Sequence, residues 1–228
     1  MMQNFKWIID NPEDVIQKVL MSGNFYSADQ LSFMNTRIKT DDVVLDLGAN
    51  VGNHTVYFSK LTKASKVYCI EPIPRAYKLL LANIALNYCH NVNVDYIGLA
   101  LGDRDCVGYP YMLYGKDNLG STFLNPEPIK DAAAELSMEP VHIVTGDSLF
   151  AYEKIDFIKM DIEGMEIVAL DGLKTVIRRN RPKMYIEVMN YNKELFAQWL
   201  DVNDYEILET FDRYSADIFS NYYVEPKK

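Results

Sequence analysis

Short apolar runs alternate along this chain with longer segments whose apolar positions recur at helical spacing. The runs at 43–47, 66–71, 92–97, 141–144, 156–160 and 183–188 read as strands. Segments near 53–61, 74–88, 164–170 and 193–200 read as helices, the second opened by Pro74 and the third closed by Gly172. Strand-to-helix alternation of this kind predicts a parallel sheet with helices on its faces. Two last runs, 205–210 and 218–224, sit close enough to pair as an antiparallel edge. The sum is an α/β fold with a Rossmann-like, doubly wound, mostly parallel seven-stranded sheet whose last strand is antiparallel.

Two stretches depart from this rhythm. Residues 1–40 look helical: Asn11-Pro12-Glu13-Asp14 reads as a helix start with Pro at the first position, and Ser22-Gly23-Asn24 as its end. A second helix over 28–38 carries Leu31, Phe33, Met34 and Ile38. The segment is too short to bury a core alone. It reads as a helical cap over the ligand end of the main domain, residues 41–228. Within that domain, 103–140 reads as an insertion on the substrate side. Asp103-Arg104-Asp105 suggests a turn, 106–114 a β-extension, 115–140 a Gly-, Pro- and Asn-rich loop with a short helix at 131–136. Long loops in compact domains are commonly functional.

Composition narrows the function classes. The 228 residues, 49% of them apolar, suit one globular domain with a short attachment. No apolar run approaches the roughly 20 residues that span a bilayer, so no membrane partner is expected. The first residues lack the basic-then-apolar order of a signal peptide. Cys69, Cys89 and Cys106 are too few and scattered for a disulfide framework and read as thiols of a reducing, cytoplasmic compartment. A net charge of −9 argues against a nucleic-acid partner. The short cluster Arg178-Arg179-Asn180-Arg181 reads as a solvated helix end.

Candidate chemistry lies where strands end, since open α/β sheets bind ligands outside the carboxyl ends of their strands. After the first strand comes Asp46-Leu47-Gly48-Ala49-Asn50-Val51-Gly52, with Asn50 where many such loops have a middle glycine. The spacing is neither the dinucleotide G-x-G-x-x-G nor a P-loop. Glu71-Pro72 ends the second strand, where an acid can accept hydrogen bonds from ribose hydroxyls. In 156–166, Lys159, Asp161 and Glu163 alternate and so converge on one face of an extended strand. Charges there cost desolvation energy unless they pair or meet a ligand. A Lys159–Asp161 ion pair is the simplest reading and is compatible with a role in positioning substrate.

These stretches resemble FkbM-type methyltransferases, a family of the class I S-adenosylmethionine-dependent superfamily. The resemblance rests on the glycine loop, Glu71-Pro72, Ala100-Leu101-Gly102-Asp103 and Ile158-Lys159-Met160-Asp161-Ile162-Glu163-Gly164-Met165-Glu166. It extends through Arg181-Pro182 and Glu187 and covers roughly residues 40–190. It implies S-adenosylmethionine as cofactor, with Asp46, Gly48, Asn50 and Gly52 shaping its methionine side and Glu71 its ribose. Pro72, Ile73, Ala100 and Leu101 would then border the adenine. Asp161 and Glu163 fall near the transferred methyl, with Lys159 orienting them. Glu187 reads as a further ligand, a base or an acceptor for a substrate hydroxyl.

The expected reaction is O-methylation of a small hydroxylated metabolite, sugar or glycan. Alternatives are N-methylation of a small molecule, a non-catalytic cofactor-binding module and, last, an NAD-dependent oxidoreductase, which would want a glycine near Asn53. No metal ligand is assigned. A divalent ion such as Mg²⁺ at Asp161 is the less favoured reading, because no second acid pair that must complete it stands out. His54 reads as packing or a cofactor hydrogen bond before a base, and His90 and His142 receive no role. Asp147 reads as the cap of the short helix after it. Tyr26, Tyr109, Tyr111 and Tyr114 could place aromatic rings over a pocket.

Overall fold

The computed structural model describes residues 4–112, 119–125, 127, 139–211 and 217–228. The expected helix at 131–136 and the ring of Tyr114 lie outside the described residues.

The chain begins with residues that run along a later helix, then forms α1 (Val15–Met21) and α2 (Ala28–Arg37). Helix α1 starts after Asp14, not at Pro12. The Asp14 carboxylate accepts from the amides of Ile16 and Gln17, which satisfies donors a first turn leaves free. Next come β1 (Val43–Leu47), α3 (Asn53–Leu61), β2 (Lys66–Ile70), α4 (Pro74–Leu86) and β3 (Val92–Asn93). The strand expected over 92–97 is cut to two residues. Asn93 accepts from the Asp95 amide at 3.1 Å, a side-chain turn that competes with the ladder.

The chain resumes as β4 (Leu99–Gly102), β5 (Cys106–Met112), β6 (Thr122–Asn125), β7 (Val141–Thr145) and α5 (Gly146–Leu149). It continues through β8 (Phe157–Met160), α6 (Glu166–Gly172), α7 (Lys174–Asn180) and β9 (Lys183–Met189). It closes with α8 (Lys193–Val202), β10 (Tyr205–Phe211) and β11 (Phe219–Pro226). Gly172 does not stop the helical path as expected. Helix α7 follows at once, its first amides held from outside by Asp147, which accepts from Thr175 and Val176 at 2.9–3.0 Å. Asp147 therefore caps α7, and Thr145 is the residue that caps α5.

The strands form a seven-stranded sheet in the order β10-β11-β9-β8-β1-β2-β3. The pairs among β9, β8, β1, β2 and β3 are parallel, while β11 runs antiparallel between β9 and β10. The mostly parallel sheet with a reversed last strand is thus present. Strand order reverses at β1, which lies between β2 and β8, and that switch point opens the ligand crevice. A smaller sheet, β4-β7-β5-β6, takes up the run at 141–144 that the alternation pattern suggests for the main sheet. It is fastened closely: a Cβ on Gly172 of α6 would lie 1.9 Å from the Gly102 carbonyl of β4.

Successive residues of β1 feed opposite layers. Leu45 and Leu47 pack with Tyr68, Ile158, Ile186 and α6 to α8, while Val44 packs with Val67, Phe157 and Phe58. Leu31 and Met34 of α2 are buried in the second layer, so α2 belongs to the packing of the sheet. Burial on both faces is why the central strands read as unbroken apolar runs.

Candidate active site

The loop after β1 and the turn after β8 are pressed together. Gly48 has φ 74°, and a Cβ there would lie 1.8 Å from the Asp161 carbonyl oxygen, so only glycine fits. Lys159, on β8, secures the contact. Its ammonium donates to the carbonyls of Gly48 at 2.9 Å and Leu47 at 3.2 Å. It also lies 3.4 Å from Asp46 and 3.8 Å from Asp161. Burial works against its charge, but Asp46 and Asp161 outweigh that and raise its pKa. Asp46, held by the Thr55 hydroxyl at 2.6 Å as well, has its own pKa raised by burial.

Glu71 closes the neighbouring corner. One carboxylate oxygen accepts from the Asn50 amide at 2.8 Å and the other from Ile73 at 2.9 Å. Each keeps acceptor capacity for a ligand. Burial pushes its pKa up to about 7 against those two amides.

A cavity of about 610 Å³ runs from this corner across the carboxyl ends of the strands. Asn50 and Glu71 line it, together with Pro72, Ile73, Ala100 and Leu101. Gly48 lines it where the glycine loop meets β8, and Lys159, Asp161, Glu163 and Glu187 line the acid side of that contact. Of the cofactor residues expected from sequence, Asp46 and Gly52 do not reach the cavity surface. Both are buried behind it, shaping the loop and not facing a ligand.

At the acid end, Asp161, Glu163 and Glu187 each offer a carboxylate oxygen, and these oxygens lie within 4.8 Å of one another. Strand alternation does not bring Glu163 there. It sits beyond β8 with φ 47°, and Gly164 follows with φ 92°. Glu166 holds that left-handed turn, accepting from Gly164 N at 2.7 Å and Asn192 Nδ2 at 2.9 Å. Burial first, then the charges of Asp161 and Glu166, push Glu163 up to about 9. Glu187, on β9, accepts from Asn221 of β11 at 3.1 Å. Burial and the neighbouring acids raise its pKa well above the ordinary carboxylate value.

One contributor, the Asn53 side chain, carries no readable signal in sequence. Asn53 binds the Tyr26 backbone from both ends of its carboxamide, accepting from Tyr26 N at 2.9 Å and donating to Tyr26 O at 3.1 Å. Tyr26, a ring the sequence suggested for a pocket, borders the cavity with Val15, Ile16 and Gln30, as do Leu119 and Thr122 of the substrate-side insertion. His54 stands on the wall, its pKa held well down by burial and by Lys159. Tyr111 packs on Phe123, with ring centres 5.6 Å apart, and neither it nor Tyr109 lines the cavity. Tyr185 does line it, and position 185 shares strand parity with Glu187, the one clue the sequence offered.

Residues 46–213 match the methyltransferase FkbM domain. The chain belongs to the FkbM methyltransferase family. It is 25% identical over 146 residues to Methyltransferase 1 of Beauveria bassiana, covering 58% of this chain and 59% of that protein. It is 32% identical over 102 residues to a tRNA(Phe) (4-demethylwyosine(37)-C(7)) aminocarboxypropyltransferase of Methanocaldococcus jannaschii, covering 42% of this chain and 40% of that one. The chain thus spans about half the length of the curated relatives it matches. An FkbM methyltransferase from Methylobacillus flagellatus KT superposes with a TM-score of 0.57 at 19% identity, over 87% of this chain and 46% of that one. The precorrin-6y C5,15-methyltransferase of Geobacter metallireducens GS-15 superposes with a TM-score of 0.52 at 11% identity, over 88% and 87%. These likenesses show the Rossmann-like fold. No helix among the described residues is long and apolar enough to cross a membrane.

Proposed function

We propose that this FkbM-family chain is an S-adenosylmethionine-dependent methyltransferase that methylates a hydroxyl of a small metabolite, sugar or glycan. One observation carries the reading: a single cavity joins the glycine-loop corner to the three-carboxylate end. Its volume is within the range of small-molecule sites.

The residues present suit the cofactor. Glu71 has acceptor capacity left for two ribose hydroxyls, and Gly48 leaves backbone open to the methionine portion. Asn50 Oδ1 is buried without a hydrogen-bond partner among the described residues and is free to receive a donor. Ile73, Ala100 and Leu101 supply apolar wall for the adenine. When bound, the cofactor supplies an electrophilic methyl group. The chain's part is placement: Asp161, Glu163 and Glu187 gather the acceptor's hydroxyls, and the proton is lost at that end of the cavity.

An amine acceptor is the second reading, favoured by the surplus of carboxylates at that end. The dinucleotide reading loses support, since Asn53 stands where it wants a glycine and its carboxamide is committed to Tyr26. The archaeal relative's name includes a tRNA, whereas a net charge of −9 favours a small acceptor here.

Calorimetric titration with S-adenosylmethionine, S-adenosylhomocysteine and NAD⁺ tests the cofactor. Binding of both adenosyl ligands and none of NAD⁺ is the expected result. Silence from the adenosyl ligands in a folded sample removes the reading. Acceptor screening with sugars, natural-product alcohols and amines then decides between O- and N-methylation.

A further inference from the structure

The acid end of the cavity gathers more carboxyl groups than Lys159 can pair. Asp161, Glu163 and Glu187 point one oxygen each into a space where all three lie within 4.8 Å. The Lys159 ammonium is divided between Asp46, Asp161 and two backbone carbonyls. It does not neutralise the group. Acidic clusters alone are common, and a second observation separates this one from them. Tyr185 is only 3% exposed, lines the same cavity, and its hydroxyl has no hydrogen-bond partner among the described residues. Tyr185 stands two residues before Glu187 on β9, on the same face of the strand. A buried polar group left in this state is one that a ligand, or a ligand's water, completes.

The cluster is also built. Asn221 fixes Glu187, and Glu166 with Asn192 fixes the left-handed turn that carries Glu163. Side chains held this way are arranged for something they do not themselves contain.

We propose that Asp161, Glu163 and Glu187 form a site for one hard divalent cation of the Mg²⁺ or Mn²⁺ kind, with the Tyr185 hydroxyl meeting a water on that ion. The donors are carboxylate oxygens, which suit hard cations better than zinc. The spacing fits as well. An ion about 2.1 Å from each oxygen puts opposed ligands about 4.2 Å apart. A spread of 4.8 Å closes onto it through small side-chain rotations. Three protein ligands leave positions for water and for an acceptor oxygen.

The ion's part in catalysis rests on the methyltransferase reading; its binding does not. In the reaction it holds the acceptor hydroxyl and lowers its pKa. The hydroxyl proton passes to cavity water. The new C–O bond forms as the S–CH₃ bond breaks, and sulfur keeps that electron pair as a neutral thioether.

The test is titration of the full chain with Mn²⁺, with and without S-adenosylhomocysteine, following free Mn²⁺ by electron paramagnetic resonance. Binding of S-adenosylhomocysteine is measured separately by calorimetry, and folding of each variant by circular dichroism. The expected result is one retained Mn²⁺, displaced by Mg²⁺, with affinity lowered about tenfold or more in Glu187→Gln and in Asp161→Asn. No retained ion in the wild-type chain, or unchanged affinity in both folded variants, overturns the cation site whether or not the adenosyl ligand binds. Retained Mn²⁺ with no adenosyl binding supports the site and removes the methyltransferase reading instead.

Discussion

Lys159 and Asp46 are register partners on adjacent parallel strands, with Nζ 3.4 Å from Oδ1 and almost no solvent reaching either side chain. Because Lys159 also donates to the carbonyls of Leu47 and Gly48, one ammonium ties the glycine loop to the strand that carries the acids. Lys159→Met would leave Asp46 buried and uncompensated, at a cost of about 3–5 kcal/mol. The double change Asp46→Asn with Lys159→Met should recover much of that loss. Urea unfolding of the two variants measures it. A single variant as stable as wild type would refute the account.

Glu71 links pH to stability and to binding. Burial raises its folded-state pKa to about 7 from an ordinary value of 4.5. The folded chain then holds this proton more tightly than the unfolded one. The corresponding stability is full below about pH 4.5 and is lost as pH rises through about 7, a contribution on the order of 3 kcal/mol. Thermal unfolding from pH 5 to 8 should fall less steeply in Glu71→Gln than in wild type. If Glu71 accepts from the ribose as proposed, affinity for S-adenosylhomocysteine should move the other way, rising toward pH 8 as the carboxyl ionises. Parallel stability profiles for the two proteins would remove Glu71 as the cause.

Asn53 is the hinge pin between the N-terminal helices and the glycine loop, through its two bonds to the Tyr26 backbone. Asn53→Ala loses both of these hydrogen bonds, which together should cost about 1–3 kcal/mol. The more telling measurement is hydrogen exchange. Amides over residues 24–31 should lose protection well before those of β1, and affinity for the adenosyl ligand should fall with them. Uniform protection across both segments would show that the clasp does not hold this wall in place.

The elements that sequence pattern located best are those decided locally. The bounds of β1 and α3 follow from an apolar run, a glycine turn and an amphipathic segment in direct succession. The small sheet was not legible, because β4 and β7 find each other across some forty intervening residues and neither run says which sheet it joins. Helix α7 was hidden for a similar reason: its cap, Asp147, comes from α5, 29 residues before Val176. At the site, Lys159, Asp161 and Glu163 could be read as neighbours from their spacing. The partners that make them a cluster, Glu187, Asn221 and Tyr185, arrive only through the pairing of β8 with β9 and of β9 with β11. Glu163 itself converges through a left-handed turn that alternation does not foresee.

Gly48 offers a steric test of the loop. Alanine there meets two obstacles: a φ of 74° and a carbonyl oxygen 1.8 Å from its Cβ. The left-handed conformation alone costs about 1–2 kcal/mol. Relieving the contact must then push the β1 loop away from the turn that carries Asp161. Gly48→Ala should lower the melting temperature and weaken adenosyl-ligand binding together. Unchanged binding in a folded variant would mean that the close approach of the two loops is not needed by the ligand.

Glu166 separates placement of the acids from binding of the cofactor. It is buried at the start of α6, and its two oxygens are occupied by Gly164 N and Asn192 Nδ2. It shapes the turn that delivers Glu163 without lining the cavity itself. The Glu71 corner shares none of these bonds. Glu166→Ala should therefore reduce kcat by about ten- to a hundredfold, the effect expected when a supporting residue is lost, while the Kd for S-adenosylhomocysteine stays near wild type. Glu166→Gln retains an oxygen for the Gly164 amide and should restore part of the rate, while Asn192 keeps its bond to the Gly164 carbonyl. A general loss of stability would instead weaken cofactor binding and turnover alike, and the glutamine variant would show no preference between them. The split between kcat and Kd, together with rescue by Gln, is what assigns Glu166 to positioning Glu163.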